Sequence, residues 1–242
     1  MYEHINLITA IITPFNAENE IDYPALDRVI DHLLETGTQG LVIAGTTGES
    51  PTLSHEEKLA LTQHIATYVP VDTLLIANAG TNNTAESVRN ARELSEIPNV
   101  DAILAVTPYY NKPNQRGMIA HFTAIADASN RPVMLYNIPG RSAVGLTVDS
   151  VVTLAQHPNI NAIKETTSVA FIAAEIEQTQ NDDFAVYTGE DAQTLAAFVH
   201  GGAGTISVAS HLYGRDMSAL FNALAVGDWQ EAGVLQRYLT PK

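Results

Sequence analysis

The chain has 242 residues, 45% of them hydrophobic and 16% charged, with a formal net charge of −15 and no cysteine. That length can bury one large core. The acidity opposes nucleic acid and anionic membrane surfaces as partners, and the missing thiol excludes disulfides, thiolate nucleophiles and cysteine-ligated metals.

Cysteine-free composition fits a reducing compartment. The start, Met1-Tyr2-Glu3-His4, lacks the basic region of a secretion signal. No apolar run approaches the roughly 20 residues needed to span a bilayer. These features together lead to the expectation of a soluble, cytoplasmic protein.

Short apolar runs alternate with longer amphipathic stretches. In chain order the runs are Leu7–Ile12, Gly40–Ala44, Thr73–Ala77, Ala102–Val106, Pro132–Tyr136, Ile160–Ile163, Phe184–Tyr187 and Gly204–Val208. Between them lie helical patterns such as Tyr23–Thr36, Ser54–Tyr68, Thr84–Ser95 and Met118–Ala128. Asp22, Ser54 (with Glu57 three residues on) and Thr84 read as helix caps. Eight strand-then-helix repeats predict an α/β fold, a parallel (β/α)8 TIM barrel over residues 1–226. A doubly wound open sheet is the alternative, but no GxGxxG follows the first strand. Residues 227–242 read as the start of a C-terminal helical segment, truncated. In Asp228–Leu239 the residues Trp229, Ala232, Leu235 and Leu239 share one face. Such a face needs a cover, so either the chain is cut short or a partner supplies one.

In a barrel of this kind, chemistry sits at the C-terminal ends of the strands. The second strand ends in Gly45-Thr46-Thr47-Gly48-Glu49-Ser50. Two readings stand: a nest of N–H donors for a carboxylate, or a tight turn capped by threonine hydroxyls. It is not a P-loop, since no Gly-Lys-Ser/Thr follows. The fourth ends in Thr107-Pro108-Tyr109-Tyr110-Asn111-Lys112-Pro113, where a tyrosine pair serves packing, an interface or chemistry. The fifth ends in Leu135-Tyr136-Asn137-Ile138-Pro139-Gly140-Arg141. An arginine there clamps a carboxylate or makes a surface ion pair. After the seventh strand and within the eighth, Gly189 and the backbone of Ile206 allow close approach of a ligand, or Gly189 makes a turn. The eight histidines show no HxxxH or HExxH spacing, so no metal site is expected.

The sixth strand carries the residue that decides between these readings. Only four lysines occur: Lys58, Lys112, Lys164 and Lys242. Three sit in polar, solvent-like stretches, whereas Lys164 follows the apolar Ile160, Ala162 and Ile163. Alternation puts Ala162, Lys164 and Thr166 on one face. A buried ammonium is unfavourable unless paired or neutralised, and desolvation yields a nucleophilic amine near neutral pH. The competing explanations are a lysine snorkelling to the rim or paired with Glu165. Convergence of threonines, tyrosines and an arginine on the same predicted face favours the nucleophile.

Taken in order, GTTGES, VTPYYNKP, LYNIPGR and IKETT resemble the dihydrodipicolinate synthase and N-acetylneuraminate lyase family of class I aldolases, from Ile8 to about Trp229. Thr46 in place of serine, and Arg141 after the proline, resemble the synthase branch. The resemblance implies that Lys164 forms a Schiff base with pyruvate and that Tyr136 donates and accepts protons, with Thr46 and Tyr110 completing the relay. Tyr110 would reach in from a neighbouring subunit, so the resemblance implies a homo-oligomer, at least a dimer and by family habit a tetramer. Thr47, Ile206 and Gly189 would hold pyruvate, and Arg141 the carboxylate of L-aspartate 4-semialdehyde. The implied activity is that of a lyase in diaminopimelate and lysine biosynthesis, with no cofactor. A sugar-acid aldolase or lyase of the same family, and a non-catalytic ligand-binding relative, are the alternatives. A zinc-dependent aldolase is a distant third. In some members lysine inhibits at an interface site; the matching residues are Ser50, Pro51, His55, Lys58, Asn82, Glu86 and Tyr109. Lys58 stands where lysine-sensitive members often have histidine, so feedback inhibition is expected to be weak or absent. Ser142-Ala143-Val144-Gly145 departs from the usual Thr-Gly after the arginine.

Overall fold

The computed structural model describes residues 2, 4–179 and 183–241; Met1, Glu3 and Lys242 from the readings above lie outside them. The chain begins with β1 (Leu7–Ala10), α1 (Tyr23–Glu35), β2 (Gly40–Ile43), α2 (His55–Tyr68), β3 (Leu74–Asn78) and α3 (Thr84–Ser95). Next come β4 (Ala102–Val106), α4 (Gln115–Ala128), β5 (Val133–Asn137), the single turn α5 (Pro139–Ser142), α6 (Val148–Ala155) and β6 (Ile160–Glu165). The order ends with α7 (Val169–Thr179), β7 (Ala185–Thr188), α8 (Thr194–Val199), β8 (Gly204–Ser207), α9 (Ser210–Ala225) and α10 (Trp229–Leu239). The eight strands close into a barrel in sequence order, every pair parallel. This is the (β/α)8 architecture that the alternation predicts.

Each strand splits its side chains between two cores. Leu41, Ile43, Leu75, Ala77, Ile103, Val133, Leu135 and Ile163 pack outward against the helices. Ile8, Val42, Ile76, Leu104, Met134, Tyr136, Ala162, Tyr187 and Ile206 fill the barrel. Caps fix the helix starts. Asp22 accepts from Ala25 N–H, and Ser54 and Glu57 form a reciprocal capping box. The third start differs from expectation: Asn83, not Thr84, caps α3, and the Thr84 hydroxyl instead bonds His121 Nδ1 at 2.8 Å.

The C-terminal helix also differs. Trp229 is 58% exposed, and the buried face is Ala232, Gln236 and Leu239, with Leu235 beside them. Its cover is the barrel's own α9, through Met217, Leu220 and Leu224. A polar contact sets the packing: Gln236 Oε1 accepts from Leu195 N–H, and its Nε2 donates to the Asp191 carbonyl. The expected boundary at residues 226 and 227 falls between α9 and α10, where Gly227 at φ +76° ends α9.

One ladder irregularity has consequences for the site. Val133 pairs with Ile160 but Met134 pairs with Ala162, so Asn161 is an extra residue in β6. Ile160 packs outward, and uninterrupted alternation would send residues 162 and 164 outward too. The extra residue reverses the phase, putting Ala162 in the barrel and Ile163 outside. Lys164 therefore enters the interior directly opposite Tyr136.

Candidate active site

Lys164 lies within β6 rather than just past it, since the strand continues to Glu165. Its side chain is only 6% exposed, with Nζ 4.6 Å from the centroid of the Tyr136 ring. Pairing with Glu165 does not occur: that carboxylate points outward and accepts from Asn137 Nδ2 and from the N–H groups of Thr166 and Thr167. Burial lowers the Lys164 pKa from 10.5 to about 8; Asp191 and Glu190 oppose the shift and Arg141 assists it. Burial likewise raises Tyr136 to about 12, with Arg141 lowering and Glu190 raising it. Near neutral pH the pair thus combines an amine near its deprotonation point with a protonated phenol.

Gly189 makes the room. A Cβ there would stand 2.7 Å from both Lys164 Cε and Thr166 Cγ2. Its N–H bonds the Glu165 carbonyl at 2.7 Å, fixing the β7 end against β6. Ile206 is fully buried in β8, inside the barrel.

The GTTGES turn is closed by its own bonds: Gly48 and Ser50 N–H donate to the Gly45 carbonyl, and Glu49 N–H to that of Thr46. Those three amides are not available to a ligand, and Thr46 and Thr47 form the tip. A cavity of about 230 Å³ opens beside it, lined by Thr46, Tyr136 and Arg141. Ser50, Pro51, Lys58 and Tyr109 line the same cavity, so part of the expected effector set shares a space with Thr46 and Tyr136, whereas Lys164 lies against the Tyr136 ring and is not a lining residue. Lys58 is not in a solvent-like setting: burial lowers its pKa, against the raising effect of Glu86.

Other expected residues lie elsewhere. Tyr110 is 86% exposed and outside the cavity, held with a left-handed φ of 69° by its N–H bond to the Ser142 carbonyl. His55 bonds Glu93, and Asn82 pairs with Asn111. Sequence reasoning missed four contributors. Asn78 and Thr81 line the cavity, Ser142 ties the β4 and β5 loops through Thr107 Oγ1 at 3.0 Å, and Asp191 acts on the charge of Lys164. Only Ser142 had a local signal, as the departure after Arg141. Among the described residues, no group of three or more His, Asp or Glu could hold a metal ion.

The model of the dihydrodipicolinate synthetase family matches residues 3–241. The chain belongs to that family. A 4-hydroxy-tetrahydrodipicolinate synthase of Leuconostoc citreum is 98% identical over 242 residues, all of this chain and 83% of the relative. A dihydrodipicolinate synthase of Bacillus anthracis is 44% identical with a TM-score of 0.94, covering 97% of this chain and 80% of that one. A chloride-inhibited dihydrodipicolinate synthase of Acinetobacter baumannii, complexed with pyruvate, is 36% identical with a TM-score of 0.92, covering 98% and 81%. Lys164 of β6 and Tyr136 of β5 stand opposite each other in the barrel.

Proposed function

We propose that this lyase condenses pyruvate with L-aspartate 4-semialdehyde to give 4-hydroxy-tetrahydrodipicolinate, with Lys164 as the nucleophile. The observation that carries the residue assignment is a nearly buried lysine with its pKa lowered to about 8, opposite a tyrosine raised to about 12. The Lys164 amine adds to the pyruvate carbonyl, and loss of water, with a proton from Tyr136, leaves an imine. The imine withdraws electrons, a methyl proton leaves, and the enamine carbon attacks the aldehyde. The semialdehyde's own amine then displaces Lys164 and closes the ring, so the protein needs no cofactor of its own.

Tyrosine's ordinary pKa near ~10 makes it a poor proton shuttle alone, and a hydroxyl relay eases the transfer. Thr46 supplies one hydroxyl. Tyr110 supplies the other in a second copy, because its side chain is exposed and does not line its own cavity. The active form is therefore a homo-oligomer, a dimer at least, with a tetramer as the family-like assembly. Thr47, Gly189 and the Ile206 backbone hold pyruvate, and Arg141 receives the semialdehyde carboxylate. Placement in the diaminopimelate and lysine pathway follows from the product. No helix among the described residues is long and apolar enough to cross a membrane, and the acidic, cysteine-free composition fits a cytoplasmic enzyme.

Borohydride trapping with pyruvate, followed by peptide mass mapping, tests the assignment. A reduced adduct on Lys164 is the expected result. Wild-type enzyme that turns over without such an adduct would overturn it. Comparing aspartate semialdehyde with sugar aldehydes as acceptors then tests the substrate.

A further inference from the structure

Behind the reactive pair, on the outer side of the strands, lies a buried polar cluster that the chemistry does not use. Asn137 and Glu165 immediately follow Tyr136 and Lys164, pair with each other across β5 and β6, and are both fully buried. Asn137 Nδ2 donates to Glu165 Oε2 at 2.7 Å. Glu165 Oε1 accepts from Thr166 and Thr167 N–H, each at 2.7 Å, and the Glu165 carbonyl accepts from Gly189 N–H. Asn137 Oδ1 in turn accepts from Leu146 N–H at 3.0 Å. The carboxylate thus ties the end of β5 to the loop after β6, while the backbone carbonyl of the same residue holds the glycine that makes room for Lys164.

The bonds have a fixed direction. Every group hydrogen-bonded to the Glu165 carboxylate is an N–H donor, so the ionised form satisfies all of them. A glutamine there would set an NH2 against Asn137 or against two backbone amides. Flipping Asn137 to accommodate it would set its own NH2 against Leu146 N–H.

Glu175, on α7, reaches the same cluster from outside. It is fully buried, and among the described residues neither of its oxygens has a hydrogen-bond partner. Burial raises its pKa to about 10, with the Glu165 charge adding to the shift. Two neighbouring buried carboxyls do not both ionise readily. Burial raises the Glu165 pKa too, but Asn137 and the Thr166 and Thr167 amides oppose that shift, so Glu165 is the better placed of the two to carry the charge.

We propose that Glu165 is a positioning residue: through Asn137 it locks the ends of β5 and β6 so that Lys164 and Tyr136 hold their facing geometry. This rests on Lys164 and Tyr136 being the reacting pair. Both neighbours are one residue from a reacting group, so a loosened lock displaces the chemistry directly. Loss of alignment on the scale of an ångström lowers turnover by about 100-fold.

The test compares Glu165→Gln with Glu175→Gln, each checked for native fold by circular dichroism and melting temperature. Glu165→Gln is expected to lower kcat by about 10- to 100-fold, with KM for pyruvate changed far less, because the pyruvate-holding residues stay in place. The pH of half-maximal borohydride trapping should also rise by about one unit as water reaches Lys164. Glu175→Gln leaves the Asn137, Thr166 and Thr167 donors of Glu165 untouched and is expected to retain kcat and the trapping profile. A purely structural role would lower the melting temperature without moving that pH. If Glu165→Gln does not fold, Asn137→Ala, which leaves Glu165 its two backbone donors, is measured in the same way with the same expectations. Folded variants with unchanged kcat and trapping pH overturn the proposal. Wild-type trapping is the control: failure there overturns the reading of Lys164 itself.

Discussion

Two tyrosines point into this barrel, and they do opposite things. Tyr187 is completely buried, and its hydroxyl donates to the Ile5 carbonyl at 2.6 Å in the segment entering β1. Tyr2 meets it edge-on at 5.8 Å and bonds Asn161. This end is closed, with each phenol bonded, and burial pushes both hydroxyl pKa values far up. Tyr136, on β5, lines an open cavity and lies against a lysine. The same residue type becomes a plug where the backbone satisfies its hydroxyl and a candidate acid where the hydroxyl faces space for a ligand. The environment on each strand, not the residue type, separates the plug from the candidate acid.

The sharpest way to break the contrast is at Lys164. Lys164→Met should abolish trapping and lower activity by at least about 10³-fold. It should also stabilise the fold at pH 7. A lysine shifted from 10.5 to about 8 by burial represents about 3 kcal/mol against the folded state while both states are protonated. Between about pH 8 and 10.5 the unfolded chain binds the extra proton, so wild-type stability rises with pH through that window. The methionine variant lacks that rise. Denaturant midpoints at pH 7 and pH 10 check both statements, and a less stable variant at pH 7 would contradict them.

Exchanging phenylalanine into each tyrosine separates the two ends. Tyr136→Phe should reduce kcat by about 10²- to 10⁴-fold, with little change in melting temperature. Tyr187→Phe should leave turnover near wild type but destabilise by about 1–3 kcal/mol, because the Ile5 carbonyl loses its buried donor. Equal effects on activity from both variants would erase the distinction.

Gly189→Ala is a milder intrusion. The new methyl would press on Lys164 Cε at 2.7 Å, and the flexible lysine stem can yield. Slower trapping by about tenfold is expected, with the fold retained. An unchanged trapping rate would mean that the room around Lys164 is wider than this packing requires.

Much of this was legible in the sequence because alternation and capping are local. The eight apolar runs lie within one or two residues of the eight strands, and Ser54 with Glu57 forms the box its spacing predicts. Lys164 stood out because a lone lysine ended an apolar run. What made it face inward was not legible. The phase reversal at Asn161 depends on pairing with β5, and no local pattern marks it. Trp229 looked like a core residue by helical period, yet Gln236 holds the buried position because it bonds two backbone groups of another element. Lys58 looked exposed because its own helix is polar, and only the packing of neighbouring loops brings it to the cavity.

Lys58 bears on effector binding rather than on turnover, and it extends the contrast to two lysines at the top of the barrel. Lys164 is buried deeply enough to be near neutrality, whereas Lys58 is half-buried with the Glu86 charge favouring its ammonium form. A free-lysine effector entering beside it brings a second ammonium. At ~6 Å and an effective dielectric near ~20, that repulsion is about 3 kcal/mol, or roughly two orders of magnitude in Kd. Wild-type activity should therefore be indifferent to sub-millimolar lysine. In Lys58→His, assayed at a pH where imidazole is neutral, the repulsion disappears and lysine inhibition should strengthen. His55, already bonded to Glu93, does not substitute for it. Strong inhibition of the wild type by sub-millimolar lysine would overturn the expectation that the Lys58 charge repels a cationic effector.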